Sequence, residues 1–203
     1  TNMLKKKNSN ITPLHSEIFE LYQNLRKEKK KKWKRTLPFN ELLFDRWEKA
    51  KFLGAGKNAS VYDNSYIFGN VKIGENTWVG PYTILDGSGG KISIGKYCSI
   101  STGVQIYSHN SVDWSLTGGK ADLKKKSVSI GNNCYIGPNS IIVMGSKIGK
   151  GSVIGAFSVI KSTIPPNSIV FGNPGKIIGK TSIKGNIVKF HYFDKIKEVK
   201  LKK

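Results

Sequence analysis

The sequence predicts a mainly β protein in which short parallel strands wind as a coil, with α-helices before it and a short extension after it. Three observations lead there: an aliphatic residue recurs at every sixth position, glycine often follows it, and a small residue lies four positions after it. A period of six matches neither the 3.6-residue α-helix nor the alternation of an ordinary strand. It suits a triangular coil with three six-residue units per turn, whose turns stack about 4.8 Å apart.

The six-residue spacing is interrupted twice. Three extra residues lie in the Gly-rich turn between Leu85 and Ile94, and 18 extra residues lie between Ile106 and Ile130. We expect the aliphatic residues to point inward and the small residues to fill crowded corners. The fourteen aliphatic positions are Val61, Ile67, Ile73, Val79, Leu85, Ile94, Ile100, Ile106, Ile130, Ile136, Ile142, Ile148, Ile154 and Ile160. The small residues are Ser65, Thr77, Thr83, Cys98, Cys134, Ser140, Ser146, Ser152 and Ser158.

Both cysteines occupy small-residue positions, which predicts that Cys98 and Cys134 pack as small apolar groups. Two cysteines without metal-ligand spacing indicate neither a disulfide framework nor a metal site. The apolar runs are only a few residues long, and no apolar segment follows the basic N-terminal stretch. We therefore expect a soluble, cytoplasmic protein with at most peripheral membrane contact.

The chain is strongly basic, with 34 basic and 13 acidic residues and a net charge of +21. Only three basic residues are arginines, namely Arg26, Arg35 and Arg46, and the positive charge is spread along the chain. Proteins that read nucleic acids depend largely on the bidentate arginine fork. The composition therefore favours a general attraction for anionic ligands over nucleic-acid binding.

Three regions are expected: a helical segment at residues 1–53, the coil at residues 54–180 with an inserted loop at 107–128, and a basic extension at 181–203. The two flanks are expected to cover the ends of the coil. The extension is predicted to hold an irregular or strand-like piece before its basic tail.

Two helices are predicted in the first region. Thr12 and Pro13 form a suitable N-cap and first-turn pair for a helix over residues 12–35. A second, short helix is predicted from Asn40 to Lys51. The lysine-rich end of the first helix is interpreted as a solvated face, and contact with an anionic membrane surface is the alternative.

Three aliphatic-glycine runs carry a family resemblance: IGENTWVGPYTIL, IGKYCSISTGVQI and IGNNCYIGPNSIIVMGSKIGKGSVIGAFSVI. Together with the ending IPPNSIVFGNPGK, they resemble the hexapeptide-repeat acyltransferases over about residues 60–180. The resemblance implies a left-handed parallel β-helix, acetyl-CoA as co-substrate, no metal, and a homotrimer with sites between its subunits. It is more specific for fold than for substrate.

His109 lies where the coil gives way to the 18-residue loop, and long loops in a rigid repeat are more often functional than accidental. His15 and His191 are interpreted as structural or surface groups. The resemblance implies that His109 is the general base. Imidazole suits this role because it is mostly neutral at pH 7 and can take a proton from a hydroxyl or ammonium group.

Acceptor binding is predicted at both breaks in the repeat. Asp86, at the shorter break, matches in position an acceptor-binding carboxylate of the sugar acetyltransferases, although an ordinary turn-forming aspartate is the alternative. In the loop, Asp113 and Trp114 are candidates to orient the base or to stack against a sugar ring. The alternative is that the loop is a spacer.

The resemblance also implies a donor site along the coil. The positions that match it are Pro138, Ala156, Lys161, Ser162, Lys176 and Lys180. Lys176 and Lys180 would meet the CoA phosphates as point charges. Pro138 lacks an N–H, so a neighbouring amide must serve if an oxyanion donor is needed there.

The resulting hypothesis is acetyl-CoA-dependent O-acetylation of a sugar in bacterial surface polysaccharide synthesis. The alternative within this class is N-acetylation of a nucleotide-linked amino sugar. A zinc enzyme on the same helix, like the trimeric carbonic anhydrases, needs three histidine ligands, and residues 54–180 hold one. A non-catalytic basic scaffold is the third hypothesis.

Overall fold

A computed structural model of the chain describes residues 12–193, which divide into two compact units between Asp45 and Arg46. The helices are α1 (Pro13–Trp33), α2 (Phe39–Leu43), α3 (Arg46–Phe52) and α4 (Val112–Leu116). The strands are β1 (Ser60–Val61), β2 (Tyr66–Ile73), β3 (Trp78–Val79), β4 (Ile84–Ile94), β5 (Ser99–Ile100), β6 (Gln105–Tyr107), β7 (His109–Asn110), β8 (Lys124–Lys125), β9 (Val128–Ile130), β10 (Tyr135–Ile136), β11 (Ile141–Ile142), β12 (Lys147–Ile148), β13 (Val153–Ile154), β14 (Val159–Ile160), β15 (Thr163–Ile164), β16 (Ser168–Phe171), β17 (Lys176–Lys184) and β18 (Ile187–Tyr192).

The first unit contains α1 and α2. The side chain of Thr12 accepts a hydrogen bond from the backbone N–H of His15 at 3.4 Å, so the predicted N-cap is confirmed. At the other end, Lys34 adopts a left-handed conformation and its N–H donates to the Lys30 carbonyl. The helix therefore begins and ends close to its predicted limits. No helix within residues 12–193 is long and apolar enough to cross a membrane.

The single helix predicted from Asn40 to Lys51 is wrong, because the chain forms two helices there. Phe44 has φ −105° and ψ 135°, an extended conformation that ends α2. After this break, α3 belongs to the second unit, where the Lys49 ammonium donates to the carbonyls of Tyr62 and Ser65 at 3.2 and 3.0 Å. These tertiary hydrogen bonds hold α3 against the first turn of the coil, and local sequence preferences do not report them.

The second unit is a coil with three parallel faces, as the repeat predicts. The first face stacks β1, β3, β5, β10, β13 and β16. The second face stacks the beginnings of β2 and β4 on β6, β11 and β14, and the third stacks their ends on β9, β12 and β15. Each strand pairs in register with the strand one turn away, for example Ile136 with Ile154.

The predicted core is confirmed at nearly every position. Of the fourteen aliphatic residues, thirteen are at most 4% exposed, and Ile67 is partly buried against the same core. The small residues are buried as well, and their polar atoms have a second role. Ser140 Oγ donates to the Gly155 carbonyl at 2.9 Å, and Ser146 Oγ donates to the Ile160 carbonyl at 3.0 Å. Corner hydroxyls thus link successive turns besides fitting a narrow space.

Two corners of the coil differ in kind. The repeat corner, between the third and first faces, comprises residues 74–77, 95–98, 131–134 and 149–152 and has no insertion. The loop corner, between the second and third faces, comprises residues 87–91, 108–127, 143–146 and 161–162, and it receives both predicted interruptions.

The extension begins as an antiparallel hairpin. Strand β17 pairs with β16 and then with β18, and Gly185 turns the chain with φ +58°. This agrees with the strand-like alternative predicted for this piece of the chain. The basic tail at residues 194–203 lies outside the described residues.

Candidate active site

The two interruptions of the repeat lie side by side on neighbouring turns. Strand β4 pairs in parallel with β6, and this pairing sets Asp86 opposite Tyr107. The short Gly-rich insertion follows Asp86, and the long loop follows Tyr107. Two segments about twenty residues apart in the chain are therefore neighbours at the loop corner.

His109 and Asp86 face one another at this place. The Nδ1 atom of His109 lies 3.9 Å from the Oδ1 atom of Asp86, and the two side chains are 27% and 18% exposed. Nδ1 is buried and forms no hydrogen bond within residues 12–193. The carboxylate also accepts a hydrogen bond from the Ser88 N–H at 3.0 Å, so Asp86 shapes the turn and approaches the imidazole. Asp86 therefore forms the turn, as one interpretation expects, and its role in acceptor binding stays a prediction.

Two residues that the sequence analysis missed hold His109 in place. Ser108 Oγ donates to the Asp86 carbonyl at 2.8 Å and accepts from the Gly89 N–H at 3.0 Å. A Cβ atom on Gly89 would lie only 2.4 Å from the Cβ atom of His109, so glycine is required there. The sequence signal for both was available: a glycine-rich turn at one break and a serine directly before His109 at the other.

Tyr107 adds a polar group beside the same carboxylate. Burial raises the pKa of Tyr107, and the negative charge of Asp86 raises this pKa further. The phenol donates a hydrogen bond to Gln105 Oε1 at 2.7 Å. Tyr107 is therefore a neutral donor at neutral pH, and its partner lies on the second face of the coil.

The inserted loop has its own internal structure. Strands β7 and β8 form an antiparallel ribbon in which His109 lies opposite Lys125 and Asn110 lies opposite Lys124. Helix α4 lies between these strands in the chain, and its Asp113 forms an ion pair with Lys124 at 2.7 Å. The predicted acceptor residue Asp113 is thus held by a cation within the loop.

Trp114 lines a groove of about 510 Å³ in the same loop. The other lining residues are Gly119, Lys120, Ala121, Asp122, Leu123 and Lys125. A Cβ atom on Gly119 would lie 3.6 Å from the indole ring, so the backbone supports one side of the ring while the side chain stays half exposed. The groove thus presents an aromatic surface and two cations, of which Lys125 lies opposite His109 in the ribbon.

The predicted donor residues lie at several places. Lys161 and Ser162 are exposed at the loop corner, whereas Pro138 and Ala156 lie on adjacent turns at the corner between the first and second faces. The Phe157 N–H donates to the Pro138 carbonyl at 2.9 Å, so this carbonyl is used in stacking the turns. Lys176 and Lys180 are exposed on β17. Within one chain, Pro138 and Ala156 do not join His109 at the same corner.

The thiols of Cys98 and Cys134 are buried at the repeat corner, on adjacent turns, as their small-residue positions predict. When Cys98 is ionised, the neighbouring Cys134 thiol can donate a hydrogen bond to the thiolate, and this lowers the pKa of Cys98 to about 7, against the burial that raises it. The same contact, together with burial, raises the pKa of Cys134. Within residues 12–193 no three His, Cys, Asp or Glu side chains lie together in a way that could hold a metal ion.

Comparison with known proteins gives matches that are similar in sequence and in fold. Residues 127–162 match the family model described as bacterial transferase hexapeptide (six repeats). Protein CapG of Staphylococcus aureus is 41% identical over 88 residues, which cover 43% of this chain and 51% of that protein. The chain therefore spans about half the length of the curated relative that it matches.

Two solved structures cover more of the chain. A maltose O-acetyltransferase from Clostridium difficile is 31% identical, with a TM-score of 0.59 over 83% of this chain and 89% of the other. A hexapeptide-repeat-containing acetyltransferase from Vibrio cholerae is 25% identical, with a TM-score of 0.60 over 81% and 91%. With the stacked parallel turns and the six-residue register, these likenesses establish that the chain belongs to the hexapeptide-repeat acyltransferases and has their left-handed parallel β-helix.

Proposed function

We propose that this protein transfers an acetyl group from acetyl-CoA to a sugar hydroxyl, with His109 as the general base. The observation that carries the proposal is the position of His109 at the start of the inserted loop, with its buried Nδ1 facing Asp86 at 3.9 Å. A buried nitrogen beside a carboxylate is the arrangement that holds an imidazole in one orientation and stabilises its protonated form. Its other ring nitrogen is then left for the acceptor.

The chemistry is a direct transfer. The acceptor hydroxyl gives its proton to His109 as its oxygen attacks the thioester carbonyl, and the C–S bond breaks as the tetrahedral intermediate collapses. The protonated imidazole then returns the proton to the departing CoA thiolate. Asp86 stabilises the imidazolium that exists between these two proton transfers. A backbone N–H stabilises the oxyanion.

Acetyl-CoA is proposed as the donor because the chain carries exposed cations where the family resemblance expects the phosphates. Lys176 and Lys180 are both exposed on β17, where they pair with Phe171 and Ser168 of β16 on either side of a β-bulge. A solved structure of the Vibrio cholerae acetyltransferase is complexed with acetyl-CoA. The setting in bacterial surface polysaccharide synthesis follows from the resemblance.

We also propose a homotrimer, in which Pro138 and Ala156 of one subunit approach the loop corner of the next. The outward residues of two faces support this. On the second face the outward stack is mostly apolar, with Ile84, Ile141 and Val159 beside Gln105, whereas on the third face it includes Ser93, Ser129 and Lys147. The largely apolar second face suits packing against another subunit, and the polar third face suits exposure to water.

The experiment that tests the donor is calorimetric titration of the full chain with acetyl-CoA. We expect saturable binding near one molecule per chain, weakened by Lys176→Ala and unchanged by Lys147→Ala, which removes the same charge from the third face. No binding at millimolar donor, or equal loss in both variants, would contradict the proposed donor site.

The acceptor chemistry is tested by following thiol release from acetyl-CoA with hydroxyl and amino sugars. We expect release with hydroxyl acceptors. Release with amines alone would favour N-acetylation, the alternative that the sequence leaves open. Undiminished function in a His109→Ala variant would favour a non-catalytic scaffold.

A further inference from the structure

We infer that the sugar acceptor carries an anionic group, a carboxylate or a phosphate, and that Lys125 binds this group beside His109. The inference rests on the proposed function, because it names the acceptor class of the same site. In the ribbon of β7 and β8, Lys125 lies directly opposite His109. Side chains of directly opposed residues in an antiparallel pair lie on the same side, with Cβ atoms about 4.5–5.5 Å apart. The ammonium group of Lys125 therefore belongs to the side of the ribbon that His109 occupies.

The adjacent lysine has a different role. Lys124 lies opposite Asn110, so its side chain leaves the ribbon on the other side, where Asp113 pairs with it at 2.7 Å. Lys125 forms no ion pair within residues 12–193, and it is exposed. The loop thus neutralises Lys124 and leaves Lys125 as a cation without an ion pair on the side where the acceptor is expected.

Lys125 also lines the groove beside Trp114, which connects the cation with a surface suited to a sugar ring. The groove measures about 510 Å³, within the range of about 300–1,000 Å³ that is usual for sites of small organic ligands. Its charged lining residues are Lys120, Lys125 and Asp122. Two cations against one carboxylate leave an excess of positive charge, which favours an acceptor with negative charge over a neutral sugar.

The indole of Trp114 serves the uncharged part of the same ligand. Its ring is supported from one side by the backbone at Gly119, and its side chain is 49% exposed. A sugar ring against Trp114 and an anionic substituent on Lys125 would be held at two points beside the base. We then expect Trp114 to strengthen the binding of any sugar. We expect Lys125 to make the site prefer charged sugars over neutral ones.

The experiment compares glucose with glucuronate and glucose 1-phosphate on the full chain. Binding is measured by calorimetry in the presence of CoA, and turnover is measured separately as thiol release from acetyl-CoA. We expect at least about tenfold tighter binding of one or both charged sugars than of glucose, lost at high salt, because a charge-assisted hydrogen bond is screened by ions. The two charged probes distinguish a carboxylate from a phosphate.

Three variants test the assignment. Lys125→Met should reduce the preference for the charged sugar to within about twofold, with a raised KM and little change in kcat. Lys147→Met removes the same charge from the third face and should leave the preference intact. Trp114→Leu should weaken charged and neutral sugars alike.

The outcomes separate this inference from the proposed function. Charged sugars that bind no better than glucose, or a preference that survives Lys125→Met, would overturn the inference even if the enzyme acetylates neutral sugars. Lys125-dependent binding of a charged sugar without acetyl transfer to any member of the series would support the inference and contradict the proposed function.

Discussion

The repeat corner and the loop corner of the coil are built from the same six-residue unit, yet of these two corners, within residues 12–193, only the loop corner holds a buried polar side-chain atom without a hydrogen bond. At the repeat corner, Thr77 Oγ1 donates to the Gly95 carbonyl at 2.7 Å, and the thiols of Cys98 and Cys134 donate to the carbonyls of Gly131 and Gly149 at 3.1 and 3.2 Å. At the loop corner, the buried Nδ1 of His109 has no hydrogen bond within residues 12–193.

This difference separates stability from function. A buried polar group that forms its hydrogen bond fixes one turn of the coil to the next. A buried nitrogen without a hydrogen bond lowers stability, and it is retained where it has a function. The uninterrupted corner thus provides a rigid frame, and the interrupted corner carries chemical groups that the frame holds in position. Variants of His109, Thr77, Asp86 and Cys134 test this division.

His109→Ala is expected to lower kcat by about 10²–10⁴-fold, the usual range for loss of a general base. The melting temperature should change little, because this side chain is partly exposed and its ring nitrogen makes no hydrogen bond that folding depends on. Thiol release from acetyl-CoA and thermal unfolding are the measurements. A variant that turns over normally would place the base elsewhere.

Thr77→Val and Thr117→Val are a matched pair for the two corners. Thr77 is 1% exposed, donates to the Gly95 carbonyl and accepts from the Cys98 N–H at 3.1 Å, so losing its hydroxyl should cost about 1–3 kcal/mol in the free energy of unfolding. Thr117 donates to the Asp113 carbonyl and accepts from the Ala121 N–H, but it is exposed. Water replaces these bonds, so its loss should cost no more than about 0.5 kcal/mol. Denaturant titration measures both, and equal costs would refute the division between the corners.

Asp86→Asn is expected to lower kcat about tenfold, which corresponds to about 1.4 kcal/mol in the barrier, because the neutral amide stabilises the imidazolium less. The amide oxygen can still accept from the Ser88 N–H, so the turn and the melting temperature should be preserved. Asp86→Ala should lose both activity and local stability. If the two variants behave alike in turnover and in unfolding, Asp86 acts through the turn alone.

Cys134→Ala is expected to move the titration of Cys98 from about pH 7 back toward its ordinary value of 9.0, because the variant lacks the hydrogen bond that lowers the pKa of Cys98. A lowered pKa in the folded state means that ionisation of Cys98 adds stability as pH rises from about 7 to 9. The variant should lack this rise. Thiolate absorbance against pH is the measurement, and Cys98→Ala, which removes the titrating thiol, is the control. An unchanged titration of Cys98 would exclude the thiol contact as its cause.

Much of the scaffold could be predicted because the coil repeats one short pattern. Ile136 and Ile142 are buried for the same local reason as every other sixth residue, so spacing alone identifies the core. The start of α1 could also be predicted, because the capping signal of Thr12 and Pro13 depends only on neighbouring residues. The break between α2 and α3 was missed, because the hydrogen bonds of Lys49 to residues of the first turn hold α3 there.

The candidate site was predicted only in part. The loop and His109 are visible as an interruption of the register, but Ser108 and Gly89 were missed because their roles depend on contacts between neighbouring turns. The ion pair of Asp113 with Lys124 was also hidden, since it needs the ribbon of β7 and β8 to bring both ends of the loop together.

Residue type and spacing alone specify the six-residue register, the inward-facing aliphatic residues, the two interruptions and the single histidine at the longer one. Only the folded chain shows that Asp86 faces His109, that Lys125 shares its side of the ribbon, and that Cys98 lies against Cys134. These contacts arise where one turn stacks on another or a loop closes on itself. Residues far apart in the chain become neighbours only through that backbone pairing.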